Sequence, residues 1–80
     1  MTSEELEILI TINELVEAEH GAMVNLDSKL VDADLDSFGY TVFFIDLDEK
    51  YGCYSKEDAM NVNYNTITIR DIVNRVVSCK

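Results

Sequence analysis

Apolar positions recur at helical spacing in three separate segments of the chain. The first segment predicts a helix over Ser3–Ala18, with Thr2 and Glu5 forming a capping box at its start and Gly21 marking its end. Its apolar face is wide, so we expect the helix to be well buried. That face comprises Leu6, Ile8, Leu9, Ile12, Leu15 and Val16.

Residues 19–35 lack sustained periodicity and predict a long loop. A loop of this length in a compact domain is often functional when it is ordered. Scattered apolar side chains should pin it against the helices, and they are Met23, Val24, Leu26, Leu30 and Leu35. His20, the only histidine, is expected to be solvated near the end of the first helix.

A second helix is predicted over Ser37–Tyr51, with Asp36 as its cap and Gly52 at its end. One apolar row should face the core, and it consists of Tyr40, Phe43, Phe44, Leu47 and Tyr51. A second row lies on another face and consists of Phe38, Val42 and Ile45. In so small a domain, we expect one of these sides to meet solvent or a partner.

The remaining residues predict one short helical turn and a last helix. Ser55 and Asp58 indicate the short turn, and Thr68 with Asp71 opens the last helix. The apolar stripe of that helix is Ile69, Ile72, Val73, Val76 and Val77. β-Branched residues make a strand at 66–69 the alternative, but the spacing favours a helix. The prediction is an all-α fold, with three main helices and one short helix in a single domain of residues 1–80.

Charge changes the picture of what this helical domain can bind. The chain has 80 residues and a formal net charge of −10. Such a surface repels phosphate backbones and anionic lipid, so we expect no nucleic-acid partner. No apolar run approaches membrane-spanning length, so we expect no membrane insertion. The natural partners should carry basic patches.

The compartment is predicted from the first residues and from the cysteines. Glu4, Glu5 and Glu7 are unlike the basic start of a signal peptide, so we expect a cytoplasmic protein. Cys53 and Cys79 lie far apart in the sequence, unlike the dense cysteines of small secreted domains. We expect two reduced thiols, with a disulfide as the less favoured alternative.

The chain offers no catalytic set, so we expect a protein that is not an enzyme. Asp32, Asp34 and Asp36 match the first ligand positions of a calcium-binding EF-hand loop. The position that needs glycine is Ser37, however, and the position that needs a bidentate glutamate is Phe43. These two losses argue against an EF-hand and leave only loose binding of a divalent cation by clustered acids.

Ser37 stands where the long loop becomes the second helix. A serine at a helix start is most often simply a capping-region residue. The same position also suits a bound phosphate, because the free amide groups and the positive dipole end of a helix favour negative charge there.

With Ser37 in this position, the chain resembles the acyl carrier proteins, small acidic four-helix carriers of a phosphopantetheine arm. The family has Asp-Ser-Leu at the start of its second helix, where this chain has Asp36-Ser37-Phe38. The other similar segments are residues 30–35, 42–52 and 66–69. The resemblance spans about residues 4–77 and rests on the order and spacing of these segments together with length and acidity.

The resemblance implies a four-helix bundle of the acyl-carrier type that works as a monomer. A phosphopantetheinyl transferase would move 4'-phosphopantetheine from coenzyme A onto Ser37. The arm would hold acyl intermediates as thioesters in a lipid, polyketide or related pathway, and acyl-loading and acyl-processing enzymes would act on them. The basic docking patches of those enzymes would meet Asp36, Asp48 and Glu49. An acyl chain could enter the bundle beside Phe43, Leu47, Ile67 and Ile72, although the aromatic bulk predicts weak shielding of long chains.

Three departures from the family pattern carry further expectations. Ala33 and Asp34 replace the usual Leu and Gly, so the approach to the serine should differ in shape. Val42 stands where fatty-acid carriers usually have a glutamate, which predicts a more hydrophobic docking face with Phe38 and Ile45.

The alternative to a carrier is an acidic helical interaction module without a prosthetic group. Such a module would use the same apolar row of Phe38, Val42 and Ile45.

Overall fold

Four α-helices form the regular structure of residues 1–79, the part of the chain that the computed structural model describes. They are α1 (Ser3–Ala18), α2 (Ser37–Tyr51), α3 (Lys56–Met60) and α4 (Ile69–Cys79), and one 3₁₀ turn covers Leu30–Ala33. No β-strand occurs in this part of the chain, so the all-α prediction is confirmed. Lys80, the last residue of the predicted domain, lies outside the described residues.

Reciprocal capping starts three of these helices, as the sequence predicts. In each case a hydroxyl accepts the amide N–H three residues on, and a carboxylate there accepts the amide of the hydroxyl residue. The pairs are Thr2 with Glu5, Ser55 with Asp58, and Thr68 with Asp71. The hydrogen bonds from Thr2 lower the pKa of Glu5, and those from Ser55 lower the pKa of Asp58.

The end of α1 differs from the prediction. His20, not Gly21, takes the left-handed conformation, with φ of 65°. The His20 amide donates to the Glu17 carbonyl at 2.9 Å, and the Gly21 amide donates to the Val16 carbonyl at 2.9 Å. These two bonds are the Schellman arrangement that satisfies the last carbonyls of a helix. The glycine was therefore assigned to the wrong position of the turn.

Gly21 is required for space rather than for backbone conformation. A Cβ at this position would lie 2.5 Å from Leu35 Cδ2, 2.6 Å from Val16 Cγ1 and 2.7 Å from the Ala33 carbonyl oxygen. The long loop therefore packs directly on the backbone at the end of α1.

The core is built from one face of each long helix together with loop side chains. Leu47, Phe43 and Ile12 are fully buried, and the predicted core row of α2 is buried apart from the half-buried Tyr51. Two predicted core positions are wrong, since the exposed fraction is 49% for Leu6 and 36% for Val77. The expectation that Met23 pins the loop is also wrong, because its side chain is 86% exposed. Leu6 lies two residues before the buried Ile8, and a step of two residues turns a side chain to the far side of a helix. No charged side chain among residues 1–79 is buried.

Backbone pairing orders the second half of the long loop. The Leu30 amide donates to the Ile67 carbonyl at 2.9 Å, and the Ile69 amide donates to the Ser28 carbonyl at 2.8 Å. Lys29 and Thr68 thus form an isolated antiparallel bridge, and α4 begins directly after it. Residues 66–69 contribute this single bridge residue and do not form the alternative strand.

A side chain of α1 orders the first half of the loop. The Asn13 amide nitrogen donates to the Val24 carbonyl at 2.9 Å, and the Asn13 oxygen accepts the Val24 amide at 2.8 Å. These two hydrogen bonds imitate a backbone pair and allow Val24 to be buried.

Among the described helices, none has both the length and the apolar character needed to cross a membrane.

We expect Gly21→Ala to lower the free energy of unfolding by about 1–3 kcal/mol, because the added methyl must displace Leu35 or the loop backbone. Chemical denaturation followed by circular dichroism measures this change. The control is Ala22→Ser at the exposed neighbouring position, which should stay within about 0.5 kcal/mol. Equal stability of Gly21→Ala and the native chain would contradict the packing argument.

Candidate functional site

Ser37 is the first residue of α2, and its side chain is exposed. Asp36 caps the helix as predicted, because its Oδ1 accepts the Gly39 amide at 2.6 Å. Gly39 permits this approach, since a Cβ there would lie only 3.1 Å from the same oxygen. The Ser37 hydroxyl therefore faces solvent on a fixed helical turn.

Tyr40 fastens this turn to the loop before it. Its hydroxyl donates to the Leu30 carbonyl at 3.0 Å, and its ring stacks on Tyr64 with the centroids 4.4 Å apart. Burial raises the pKa of Tyr40, so the hydroxyl stays protonated and remains a donor. Ser37 consequently has a defined position relative to both the 3₁₀ turn and the segment before α4.

Asp32, Asp34 and Asp36, the three acids before Ser37, shape the local backbone. Asp32 Oδ2 accepts the Lys29 amide at 2.9 Å, and Asp36 caps α2. Asp34 adopts the left-handed conformation with φ of 56°, where the chain turns from the 3₁₀ turn towards α2. Across residues 1–79, no three His, Cys, Asp or Glu side chains are grouped so that they could hold a metal ion.

An open groove of about 490 Å³ lies between α2 and the segment that contains α3. Its apolar lining comes from both sides and consists of Phe44, Ile45, Tyr54, Ala59, Met60 and Tyr64. Three rings follow one another along it, since the Phe44 centroid is 5.3 Å from that of Tyr54 and 6.2 Å from that of Tyr64. Asp48, Glu49 and Lys56 add charge to its lining.

Ser37 does not line this groove but lies at its head, one helical turn before Thr41, the first lining residue of α2. Thr41 and Ile45 line the groove, and they follow Ser37 at intervals of four residues on one face of α2. Thr41 Oγ1 donates to the Ser37 carbonyl at 3.0 Å, and this hydrogen bond lies within the first turns of α2. Ser37 and Ile45 are about 12 Å apart along the helix axis, from the rise per residue.

The second predicted apolar row of α2, which consists of Phe38, Val42 and Ile45, is exposed at both ends. The exposed fraction is 73% for Phe38 and 53% for Ile45, whereas Val42 between them is half-buried. Met60 of α3 is 77% exposed on the other side of the groove. Large exposed apolar side chains that lie together mark surfaces that contact something else.

The predicted acidic residues of α2 do not form one continuous patch. Asp36 and Asp48 are twelve residues apart, which is about 18 Å along a helix. Asp48 is half-buried and its Oδ1 accepts the Tyr54 amide at 3.2 Å, while Glu49 is exposed beside the groove. The negative charge therefore lies at both ends of the apolar row.

The groove residues are not those that the sequence predicted for an acyl chain. Phe43, Leu47 and Ile72 have no exposed surface and belong to the closed core, and Ile67 is half-buried. Sequence reasoning missed Tyr54 and Tyr64. Their signal was two aromatic residues in an otherwise polar segment, but nothing local shows that both turn towards α2.

Arg75 of α4 holds the α3 side of the groove. Its Nε donates to the Cys53 carbonyl at 2.9 Å, its Nη2 lies 2.9 Å from Asp58 Oδ2, and its guanidinium lies 4.4 Å from the Tyr54 ring centroid. Burial raises the pKa of Tyr54 to about 12, although Arg75 opposes this rise. No residue of α3 is fully buried, so the ion pair with Asp58 adds to the packing of the half-buried Ala59 in attaching this helix.

Comparisons of the chain with protein-family models, curated proteins and solved structures give no match. The function therefore has to be argued from the geometry of the site itself. That geometry joins an exposed hydroxyl at a helix start to an aromatic groove and to an exposed apolar row.

We expect Arg75→Gln to accelerate amide hydrogen exchange in α3 about five- to tenfold, because it removes an ion pair and a cation–π contact of modest strength. Hydrogen–deuterium exchange read by mass spectrometry measures this effect. Arg70→Gln is the matched control, since Arg70 pairs with the exposed Asp27 instead. Equal acceleration in both variants would refute the specific role of Arg75.

Proposed function

We propose that this protein is a carrier of the acyl carrier protein type, with a 4'-phosphopantetheine arm on Ser37. The observation that carries the proposal is the exposed Ser37 hydroxyl at the first residue of α2 and at the head of an apolar groove. The chain itself would perform no bond chemistry and would position and deliver a cargo.

The start of α2 suits the required attachment. In the transfer from coenzyme A, the Ser37 oxygen forms a bond to phosphorus, the bond to the departing nucleotide breaks, and the serine proton is released. The product is a phosphodiester beside the positive end of a helix of 15 residues, where negative charge is favourable. The exposed side chain allows a transferase to reach the hydroxyl without unfolding the helix.

The turn before Ser37 supports the resemblance at a position where the residues differ. Asp34 adopts the left-handed conformation, which favours glycine, and glycine is what the family has at this position. Asp is among the few other residues that tolerate it. The preceding Ala33 is fully buried, where the family has the larger Leu. The same chain path is thus compatible with both sequences.

The groove supports a role in holding the cargo end of the arm. A group tethered to Ser37 would run along the face of α2 that carries Thr41 and Ile45, and this face leads into the groove. The groove is open along its length and its floor is aromatic. An acyl group would gain contact with rings but only partial shelter from water, which agrees with weak shielding of long chains.

The partners would be acyl-loading and acyl-processing enzymes that combine an apolar contact with a basic rim. Phe38 and Ile45 offer the apolar contact, and Asp36 and Glu49 lie at the two ends of the row. Exposed charge pairs are individually weak and are screened by salt, so the charge would steer encounters more than it would hold the complex. Such short-lived contacts suit a shuttle between enzymes.

One observation also favours the alternative of an interaction module without a prosthetic group. Phe38 is more exposed than any other aromatic side chain described, and a binding surface needs no modified serine. The two proposals differ in a single chemical event, the modification of Ser37.

Incubation with coenzyme A and a broad-range phosphopantetheinyl transferase should increase the intact mass by one arm, because the Ser37 hydroxyl is accessible. Ser37→Ala should abolish the increase. Ser78→Ala, at an exposed serine on α4, should leave it unchanged. A chain that several transferases leave unmodified would rule out the carrier and support the interaction module.

We also expect Ile45→Glu to lower kcat/KM of the transferase about tenfold if the apolar row forms part of the docking face. The matched control is Ile10→Glu, because Ile10 on α1 has the same exposed fraction of 53%. A continuous assay of arm transfer gives both values. A similar loss in the two variants would show a general effect of added charge and no docking role for the row.

A further inference from the structure

The two cysteines, which are far apart in the sequence, meet in the fold. Cys53 is buried just after α2, and Cys79 is exposed in the last turn of α4. The Cys53 thiol donates to the Tyr51 carbonyl at 3.3 Å, and the Cys79 thiol donates to the Gly52 carbonyl at 3.7 Å. Gly52 directly precedes Cys53, so Cys79 reaches the turn that carries Cys53. The two sulfur atoms thus lie over consecutive carbonyls of one turn.

The packing of α4 explains why they meet. Arg75 and Cys79 are four residues apart, so they share a face of α4. Arg75 binds the Cys53 carbonyl at 2.9 Å, and this contact draws the face against the turn that carries Cys53. The sulfur pair therefore follows from the same docking that holds α3.

We propose that Cys53 and Cys79 form a peroxide-sensitive thiol pair, whose oxidation to a disulfide locks the α2–α3 connection onto α4. The reaction does not involve Ser37, so it is independent of the carrier function. The spacing of the two cysteines in the sequence disfavours this disulfide, but the fold brings Cys53 and Cys79 together.

The reaction needs only a hydroperoxide as oxidant. The Cys79 sulfur attacks the peroxide, an S–O bond forms, the O–O bond breaks, and the released hydroxide takes the thiol proton to become water. The Cys53 sulfur then attacks the Cys79 sulfur, the S–O bond breaks, and hydroxide leaves with the Cys53 proton as a second water. Two thiols and one hydrogen peroxide thus yield one disulfide and two waters.

The environments of the two thiols set the order of these steps. Cys79 is exposed and open to peroxide, whereas Cys53 is buried. Burial, and then the neighbouring Cys79 thiol, raise the pKa of Cys53 to about 11. Because the thiolate is the nucleophile, a buried protonated thiol is a poor first target. Cys79 is therefore the sensing residue and Cys53 the resolving one.

The disulfide would change the mobility of one wall of the groove. The closed loop between the two cysteines contains α3, Tyr54 and Tyr64, which line the groove. In the reduced protein, α4 is joined to α3 by the partly exposed ion pair of Arg75 with Asp58, and to the Cys53 carbonyl by a hydrogen bond. A covalent link would restrict the opening of this region and would stabilise the native state relative to the unfolded chain.

The test treats the full chain and its Ser37→Ala variant with hydrogen peroxide. We expect both to lose the mass of two hydrogen atoms and to yield one proteolytic fragment pair joined through Cys53 and Cys79. The melting temperature should rise by about 10 °C, and amide exchange in α3 should slow. Treatment with a thiol reductant should reverse all three changes.

Cys79→Ser serves as the control, and it should gain no intramolecular link and keep the buried Cys53 unmodified under the same dose. Oxygen added to Cys79 without a link to Cys53, or a disulfide between two chains in place of the internal one, would overturn the proposal. Formation of the internal disulfide with unchanged exchange in α3 would overturn the locking effect.

Discussion

Leu30 joins three parts of the molecule through its side chain and both of its backbone groups. The side chain is fully buried, the amide donates to Ile67 before α4, and the carbonyl accepts the Tyr40 hydroxyl of α2. A buried backbone group left without a partner is costly, so these bonds are strongly favoured once the side chain enters the core. The position of Ser37, three residues before Tyr40, depends on this arrangement.

The two ends of α2 are held in different ways. The Ser37 end is fixed by buried groups, whereas the groove end faces a helix of five residues with no buried side chain. A helix so short is not stable alone and exists only through its contacts. Its cap and its ion pair with Arg75 lie near the surface, and few buried contacts of this kind are typical of segments that open locally. A fixed Ser37 beside a loosely held groove wall agrees with the proposed carrier role.

Local patterns predicted the helices well and the loop poorly. The bounds of α1 and α2, the three capping pairs and the core row of α2 depend on neighbouring residues, which is why spacing reveals them. The packing of the loop on Gly21, the groove and the meeting of Cys53 with Cys79 depend on contacts between distant segments. Ser37 itself could be singled out, because a serine after a capping aspartate at a helix start is a local feature. Its place at the head of the groove could not, because Tyr54 and Tyr64 meet Phe44 of α2 only through tertiary contacts between distant segments.

The absence of buried charge from the described residues separates two kinds of constraint on this sequence. Core positions are constrained by packing, whereas the charged side chains lie at the surface, where the capping acids, Asp48 and Arg75 bind backbone groups. Substitutions of surface charge away from these residues therefore change the scaffold little. Over evolutionary time, such a protein can change its partners residue by residue while its folding remains the same, and descendants of one ancestor can diverge in specificity before they diverge in shape.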